Sequence, residues 1–155
     1  MTHRLVVVPA TYVYLLRTGP TSGGTEVLLQ LRRGTGFMDG YWAAAVAGHV
    51  EQGETVAAAA RREAAEEVGL TEVDLEPWCA MQRTGRTGLA VDERVDYFFV
   101  ARAWHGVPSI REPDKCADLQ WFDLGSLPSP VVPHEGRVLA TVRTGRTPPF
   151  VSEGF

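Results

Sequence analysis

The chain has 155 residues, of which 45% are hydrophobic and 22% charged, a composition typical of one globular domain over residues 1–155. It excludes wholesale disorder and argues against a two-domain enzyme. The net charge is −4 and no basic run appears, so neither nucleic acid nor a membrane surface is expected as a partner.

Strand patterns fill the first third of the chain. Residues 5–16 and 26–33 are rich in β-branched and aromatic residues or alternate apolar with polar, and the glycine-rich segment between them predicts a loop. The first run contains Pro9 and is shorter than the roughly 18 apolar residues of a membrane span. The same proline, and the lack of a clear cleavage site, disfavour a signal peptide. Residues 34–42 predict a second loop, and residues 43–50 a short strand ending at Gly48.

Residues 55–68 have the strongest helical pattern. Thr55 is a favourable N-terminal cap, and Gly69 is a typical residue just after a helix. At about 100° per residue, one apolar stripe of small side chains would let the helix lie close to a sheet. The stripe consists of Ala57, Ala60, Ala64 and Val68.

The second half of the chain returns to strand patterns. Residues 75–83, 93–104 and 117–124 predict three strands, residues 134–143 a closing helix, and residues 147–155 a loose tail. Strands interrupted by a central helix and followed by a terminal one predict an α/β fold, in which a mixed sheet is flanked by helices.

Two cysteines, Cys79 and Cys116, lie far apart in the sequence and match no metal or redox spacing. We expect both to be small buried side chains in a reducing compartment, which predicts a cytoplasmic protein.

Three glutamates crowd the end of the predicted central helix. Glu63 lies three and four residues before Glu66 and Glu67, so like charges are neighbours on the helix surface. Glu66 and Glu67 also lie at the negative end of the helix dipole. Arg61 and Arg62 would neutralise a solvated acidic face, whereas a hard divalent cation would use the same oxygens as ligands. Spacing alone leaves both interpretations open.

The wider pattern is more specific. It resembles the Nudix box, G-x5-E-x7-R-E-U-x-E-E-x-G-U, in which U is apolar. Seven fixed residues at average usage would match by chance on the order of once in a hundred million starting points. The matching residues are Gly48, Glu54, Arg62, Glu63, Ala64, Glu66, Glu67, Gly69 and Leu70.

The resemblance implies a Nudix-type α/β/α sandwich in which the box forms loop, helix and loop. It also implies an enzyme that uses Mg²⁺ or Mn²⁺ to cleave a nucleoside diphosphate linked to another group, X. Glu63, Glu66 and Glu67 would then be metal ligands, joined by the backbone around Ala47 and Gly48. Glu54 and Arg62 would be catalytic supports that hold the loop against the helix.

Metal chemistry suits these residues, because cations bound by carboxylates neutralise a pyrophosphate bridge and activate a coordinated water. One of the glutamates, or an acid from a later loop, would accept the proton of that water. The candidates for the additional acid are Glu93, Glu112 and Asp114.

The substrate-binding residues are predicted from the MutT-like branch of the family, which hydrolyses nucleoside triphosphates to monophosphate and pyrophosphate. Markers of the ADP-ribose, dinucleoside polyphosphate and NADH branches are missing after the box, where the sequence is QRTGRTGLA. By this resemblance Arg33 and His49 would contact phosphates, and His134 and Glu135 would contact the base. Aromatic side chains that could stack on the base are Phe37, Tyr41, Trp42 and Trp121.

Several alternatives remain open. The substrate could instead be ADP-ribose or a nucleotide sugar, and its base, including an oxidised purine, is not determined. Isopentenyl diphosphate isomerases share the fold but need a cysteine context that Cys79 and Cys116 lack. A non-catalytic nucleotide sensor is the alternative of another class. The expected partner is a small nucleotide, and the expected assembly a monomer or homodimer. One departure concerns the residue before the box glycine, where many members have proline and this chain has Ala47.

Overall fold

A mixed sheet of eight strands forms the centre of the protein. The computed structural model describes residues 3–155. Its elements are β1 (Val8–Thr18), β2 (Thr25–Arg32), β3 (Trp42–Ala44), β4 (Val46–His49), α1 (Val56–Val68), β5 (Leu75–Thr84), β6 (Glu93–Ala101), β7 (Cys116–Asp123), α2 (Pro133–Thr144) and β8 (Phe150–Glu153).

Strand β1 organises this sheet. The main strand order is β3-β2-β1-β6-β5-β8, with β7 beside β2 and β4 beside β1. Along one edge, the first half of β1 pairs antiparallel with β4 and its second half with β2. Along its other edge, β1 runs parallel to β6. The end of β4 is therefore held next to the middle of the sheet, where it precedes the loop that leads into α1.

The two faces of the sheet have separate cores because successive side chains of a strand point in opposite directions. Tyr14 and Leu16 of β1 pack with α2 residues such as Leu139. Val13 and Leu15 belong to the other cluster, with the small α1 stripe that contains Ala60, Ala64 and Val68. This arrangement confirms the predicted α/β/α sandwich. Within residues 3–155, no helix has the length and apolar character required to span a membrane.

Three details of the predicted elements are wrong. Strand β1 begins at Val8, since Leu5 and Val6 are exposed outside the sheet. Residues 43–50 form two short strands, β3 and β4, separated at Ala45. The predicted loose tail contains β8, which pairs in parallel with β5. The strand that pairs with β8 is β5, which is distant in the sequence, so the local sequence of β8 did not reveal this pairing.

Helix α1 has the predicted ends. The Thr55 side chain accepts a hydrogen bond from the Ala58 N–H at 3.0 Å, and Gly69 adopts a left-handed conformation with φ of 74°. Box residues 48–70 thus cover the end of β4, a loop and α1, and Gly48 lies in β4 one residue before that strand ends at His49.

We expect Thr55→Ala to lower the free energy of unfolding by about 1 kcal/mol, because it leaves the Ala58 N–H without its cap. Urea unfolding at neutral pH measures this, and Thr55→Ser, which keeps the hydroxyl, is the control. Equal losses in the two variants would show that the cap does not stabilise α1.

Candidate active site

The glutamates of α1 face a cavity of about 520 Å³ between α1, the end of β4 and the segment before β7. Acidic side chains dominate its wall, and three cationic side chains also reach it. The acidic residues are Glu51, Glu63, Glu66, Glu67 and Glu112, and the cationic ones are Arg32, Arg62 and Lys115. The structure therefore brings all three predicted glutamate ligands to one cavity.

Arg62 connects most of this acidic wall. Its guanidinium donates to both carboxylate oxygens of Glu54, at 2.7 and 3.2 Å, which is a two-pronged contact. It also donates to Glu63 at 2.8 Å and to Glu66 at 3.3 Å. A further hydrogen bond of 3.1 Å reaches the His49 carbonyl at the end of β4. The hydrogen bond with Glu54, together with the nearby carboxylates, raises the pKa of Arg62. Arg62 thus joins the loop, the helix and the strand.

Glu63 and Glu67 lie close together, and Glu63 is held by Arg62. The carboxylate of Glu67 accepts a hydrogen bond from the Ala47 N–H at 3.1 Å. Burial and the charge of Glu63 raise the pKa of Glu67, and burial raises the pKa of Glu63 despite the opposing effect of Arg62. A Cβ at Gly48 would lie only 2.2 Å from the Glu63 carboxylate carbon. The glycine therefore leaves the space in which the carboxylate of Glu63 lies.

A second cavity of about 470 Å³ continues from the first. Five residues border both cavities, so together they form one cleft. The shared residues are Arg32, Thr35, Ala47, Gly48 and His49. Beyond them, the exposed side chains of Phe37 and Val91 also line the second cavity. One end of the cleft is thus rich in carboxylates, and the other combines apolar and polar side chains.

Charged side chains form the floor of the second cavity. Arg83 donates from Nε to the fully buried Asp96 at 2.9 Å, and Arg94 lies 3.6 Å from the other oxygen of Asp96. The His134 ring is 3.4 Å from the Tyr12 hydroxyl and 3.8 Å from Asp96. Burial, followed by the charges of Arg83 and Arg94, lowers the pKa of His134 to about 3. His134 is therefore neutral near pH 7.

Glu135 is a buried acid in the same wall. It accepts hydrogen bonds from the Tyr14 hydroxyl at 2.9 Å and from the Ala44 N–H at 2.7 Å. Burial raises the pKa of Glu135 to about 7, although both hydrogen bonds oppose the change. A substantial fraction of this side chain is therefore protonated at neutral pH.

A raised pKa of Glu135 makes the folded state lose stability as pH rises. The folded protein keeps this proton up to about pH 7, whereas an unfolded glutamate loses it near pH 4.5. Between pH 5 and pH 8, we expect the wild type to lose about 2 kcal/mol of stability relative to Glu135→Gln. The comparison is needed because neutral His134 has the opposite pH dependence. Urea unfolding of both proteins at the two pH values measures the difference. An equal change in the free energy of unfolding between pH 5 and pH 8 in both proteins would contradict the burial of a titrating carboxyl.

Three predicted binding residues lie away from the cleft lining. Arg33 is exposed and donates to the carbonyl of Pro113. The Trp42 ring packs edge-on against Phe122, with centroids 4.8 Å apart. The Trp121 ring stacks on Trp104 at 6.1 Å. In contrast, the predicted His49 and His134 do line the cleft.

The additional candidates also separate. Phe37 lines the second cavity, whereas Tyr41 does not line either cavity. Glu112 borders the first cavity and lies 3.7 Å from Lys115. Glu93, in contrast, accepts a hydrogen bond from the Thr84 hydroxyl at 2.6 Å. Asp114 does not line either cavity. Glu112 is thus the acid from a later segment that reaches the glutamates.

Three arginines of the cleft were not predicted from the sequence. Arg32 borders both cavities, and Arg83 and Arg94 border the second. A signal was present in β6, where Arg94 and Asp96 are two residues apart and therefore share one face of a largely apolar strand. Arg32 carried no such signal, because it adjoins a second arginine.

Comparison with known proteins agrees with this geometry. The sequence profile of the NUDIX domain matches residues 8–142. A search of curated proteins found no match to the chain.

Solved structures include similar folds. The MutT NUDIX hydrolase of Burkholderia pseudomallei is 26% identical, with a TM-score of 0.69 over 85% of this chain and 98% of that one. The NUDIX domain of Shewanella oneidensis NrtR, complexed with ADP ribose, is 16% identical, with a TM-score of 0.72 over 92% and 90%. The Ap4A hydrolase of C. elegans is 20% identical, with a TM-score of 0.63 over 90% and 98%. The similarity to the NrtR domain and to the Ap4A hydrolase shows a shared fold alone.

The chain therefore belongs to the Nudix family, as its box sequence predicted. It is a MutT-like Nudix hydrolase, a class of enzyme that acts on nucleoside diphosphates linked to another group.

Proposed function

We propose that this protein hydrolyses a nucleoside triphosphate to a nucleoside monophosphate and pyrophosphate, with Mg²⁺ or Mn²⁺ as cofactor. The observation that carries the proposal is the continuity of the two cavities: a carboxylate-rich one suits metal and phosphates, and its mixed neighbour suits a nucleoside. Their volumes of about 520 and 470 Å³ are of the size that binds small molecules.

Glu63, Glu66 and Glu67 would hold the metal, together with the backbone around Gly48. Their oxygens are the ligand type that Mg²⁺ and Mn²⁺ prefer, and the space at Gly48 keeps Glu63 in the cavity. Within residues 3–155, no three histidine, cysteine or acidic side chains are gathered closely enough to hold an ion. When bound, a divalent ion would neutralise the phosphoanhydride and acidify a water molecule.

The remaining side chains would orient the substrate and accept a proton. Glu112 lies at the cavity wall and would accept the proton of the attacking water at its carboxylate. Arg32 and His49 border both cavities and would contact the phosphates between them. Arg62 and Glu54 would keep the loop and helix in register.

The base would lie in the second cavity, where Phe37 offers an aromatic face and His134 a neutral imidazole. Glu135 borders the same space, and its protonated form could donate a hydrogen bond to the base. An oxidised purine is among the bases to be tested.

The proposal is tested with a panel of substrates in the presence of Mg²⁺. The panel contains natural and 8-oxo purine triphosphates, ADP-ribose and a dinucleoside polyphosphate. Pyrophosphate and phosphate are measured separately. Release of pyrophosphate from a triphosphate supports the proposal. If only ADP-ribose is cleaved, the substrate is ADP-ribose and not a nucleoside triphosphate. Tight binding without turnover would instead indicate a nucleotide sensor.

A further inference from the structure

The floor of the second cavity contains two guanidinium groups that share one carboxylate. Arg83 occupies one oxygen of Asp96 with a hydrogen bond of 2.9 Å. The nearest nitrogen of Arg94 is 3.6 Å from the other oxygen, which is too far for a hydrogen bond. Arg94 Nε is buried and has no hydrogen-bond acceptor within the described residues 3–155. Arg94 is therefore a buried hydrogen-bond donor whose Nε lacks an acceptor.

Positive charge predominates around Arg94. Its side chain is only 16% exposed, and Arg83 and Arg32 line the same cavity. Burial and the charge of Arg94 lower the pKa of His49, which also borders this cavity, so His49 adds little positive charge at pH 7. His134 is neutral at pH 7, and Glu135 is partly protonated, so neither fully offsets the arginines. The negative charge of Asp96 is shared between Arg83 and Arg94. A buried guanidinium nitrogen without an acceptor costs free energy, and an anionic ligand would remove that cost.

We propose that the floor of the second cavity beside Arg94 and Arg83, called the recess below, binds a second phosphate group of the substrate. This phosphate lies outside the phosphoanhydride bridge, and Arg94 is its main ligand, with Arg83 beside it. The inference rests on the proposed function in treating the two cavities as one nucleotide site. A phosphate monoester matches the forked donors of arginine and neutralises the surplus charge, which an uncharged base would leave in place. The group would be carried either by the ribose or by a sugar attached as X.

Calorimetric binding without added metal tests the recess separately from hydrolysis. The first arm compares adenosine 5′-monophosphate with adenosine 3′,5′-bisphosphate and 2′,5′-bisphosphate. The second compares ribose with ribose 5-phosphate. We expect at least one phosphorylated partner to bind about tenfold more tightly than its parent. A preference in the first arm assigns the phosphate to the ribose of the nucleotide, and one in the second arm alone to a sugar phosphate. Equal Kd values in every pair would overturn the proposal.

Substitutions locate the effect. Arg94→Met is expected to abolish the preference, and Arg94→Lys, which keeps the charge without the fork, to reduce it to about threefold or less. Arg102→Met is the matched control, because Arg102 lies just beyond the other end of β6 and is 58% exposed. A full preference in Arg94→Met contradicts the assignment. If that variant does not fold, an undiminished preference in Arg94→Lys contradicts it equally.

Failure of this inference can be distinguished from failure of the proposed function. Cleavage of simple triphosphates without any preference for a second phosphate refutes only the role of Arg94. A bisphosphate preference in a protein that cleaves no triphosphate supports the recess and refutes the proposed function.

Discussion

Glu67→Gln should lower kcat by at least about a hundredfold with saturating Mg²⁺, which corresponds to a loss of about 2.7 kcal/mol in the transition state. The amide can still accept the Ala47 N–H hydrogen bond, so the local structure should survive. It cannot supply the negative charge that a divalent cation requires. Glu66→Gln should behave similarly, because Glu66 lines the same cavity one residue earlier on α1.

The measurement is steady-state turnover of the best triphosphate, together with Mn²⁺ titration of each variant by calorimetry. Glu51→Gln is the matched control, since Glu51 lines the same cavity but its side chain is 70% exposed and lies outside the proposed ligand set. Near-normal turnover in both Glu66→Gln and Glu67→Gln would remove these residues from the metal site.

Removal of divalent ions with EDTA should abolish wild-type turnover, and added Mg²⁺ should restore it.

Arg62→Met should reduce both activity and stability, since a single guanidinium holds Glu54, Glu63 and the end of β4. Its removal leaves neighbouring carboxylates without their shared cation. We expect a loss of about 2 kcal/mol in the free energy of unfolding, below the value for a fully buried pair because the site is partly exposed. Turnover should fall by about a hundredfold, because the carboxylate of Glu63 loses its fixed position.

The comparison with Arg62→Lys separates charge from geometry. Lysine keeps one positive charge but cannot contact Glu54 with two prongs and also reach the His49 carbonyl. We expect this variant to recover part of the stability and little of the turnover. Arg61→Met, at the adjacent and exposed position on α1, serves as the control. Loss of stability in Arg61→Met equal to that in Arg62→Met would show that general helix charge is responsible.

The acidic helix was predictable because its geometry is local. Residues three and four apart share a helix face whatever the rest of the chain does, so Glu63, Glu66 and Glu67 had to project near one another once α1 formed. Their spacing from Gly48 and Arg62 then identified the family. The ends of α1 were equally local, since Thr55 and Gly69 act on neighbouring backbone groups.

Long-range contacts were harder to predict from the sequence. In a strand, a shift of one residue reverses the direction of a side chain, and the sequence contains Arg32 and Arg33 in succession. Pairing of β2 with β7, which is irregular between Leu31 and Arg32, accompanies the placement of Arg32 at the cleft and Arg33 at the surface. Trp121 has the composition of a base-stacking residue, but its position in β7 places it against Trp104.

The amino-acid sequence by itself determined the helix, its glutamates and the family, because those features depend on spacings within about twenty consecutive residues. Only the tertiary structure decided which cations and which buried acids face the cleft. Arg83, Arg94 and Glu135 come from β5, β6 and α2, and no local rule relates them. Their proximity, and the pKa changes that burial imposes on Glu135 and His134, arise only when the sheet and α2 pack together.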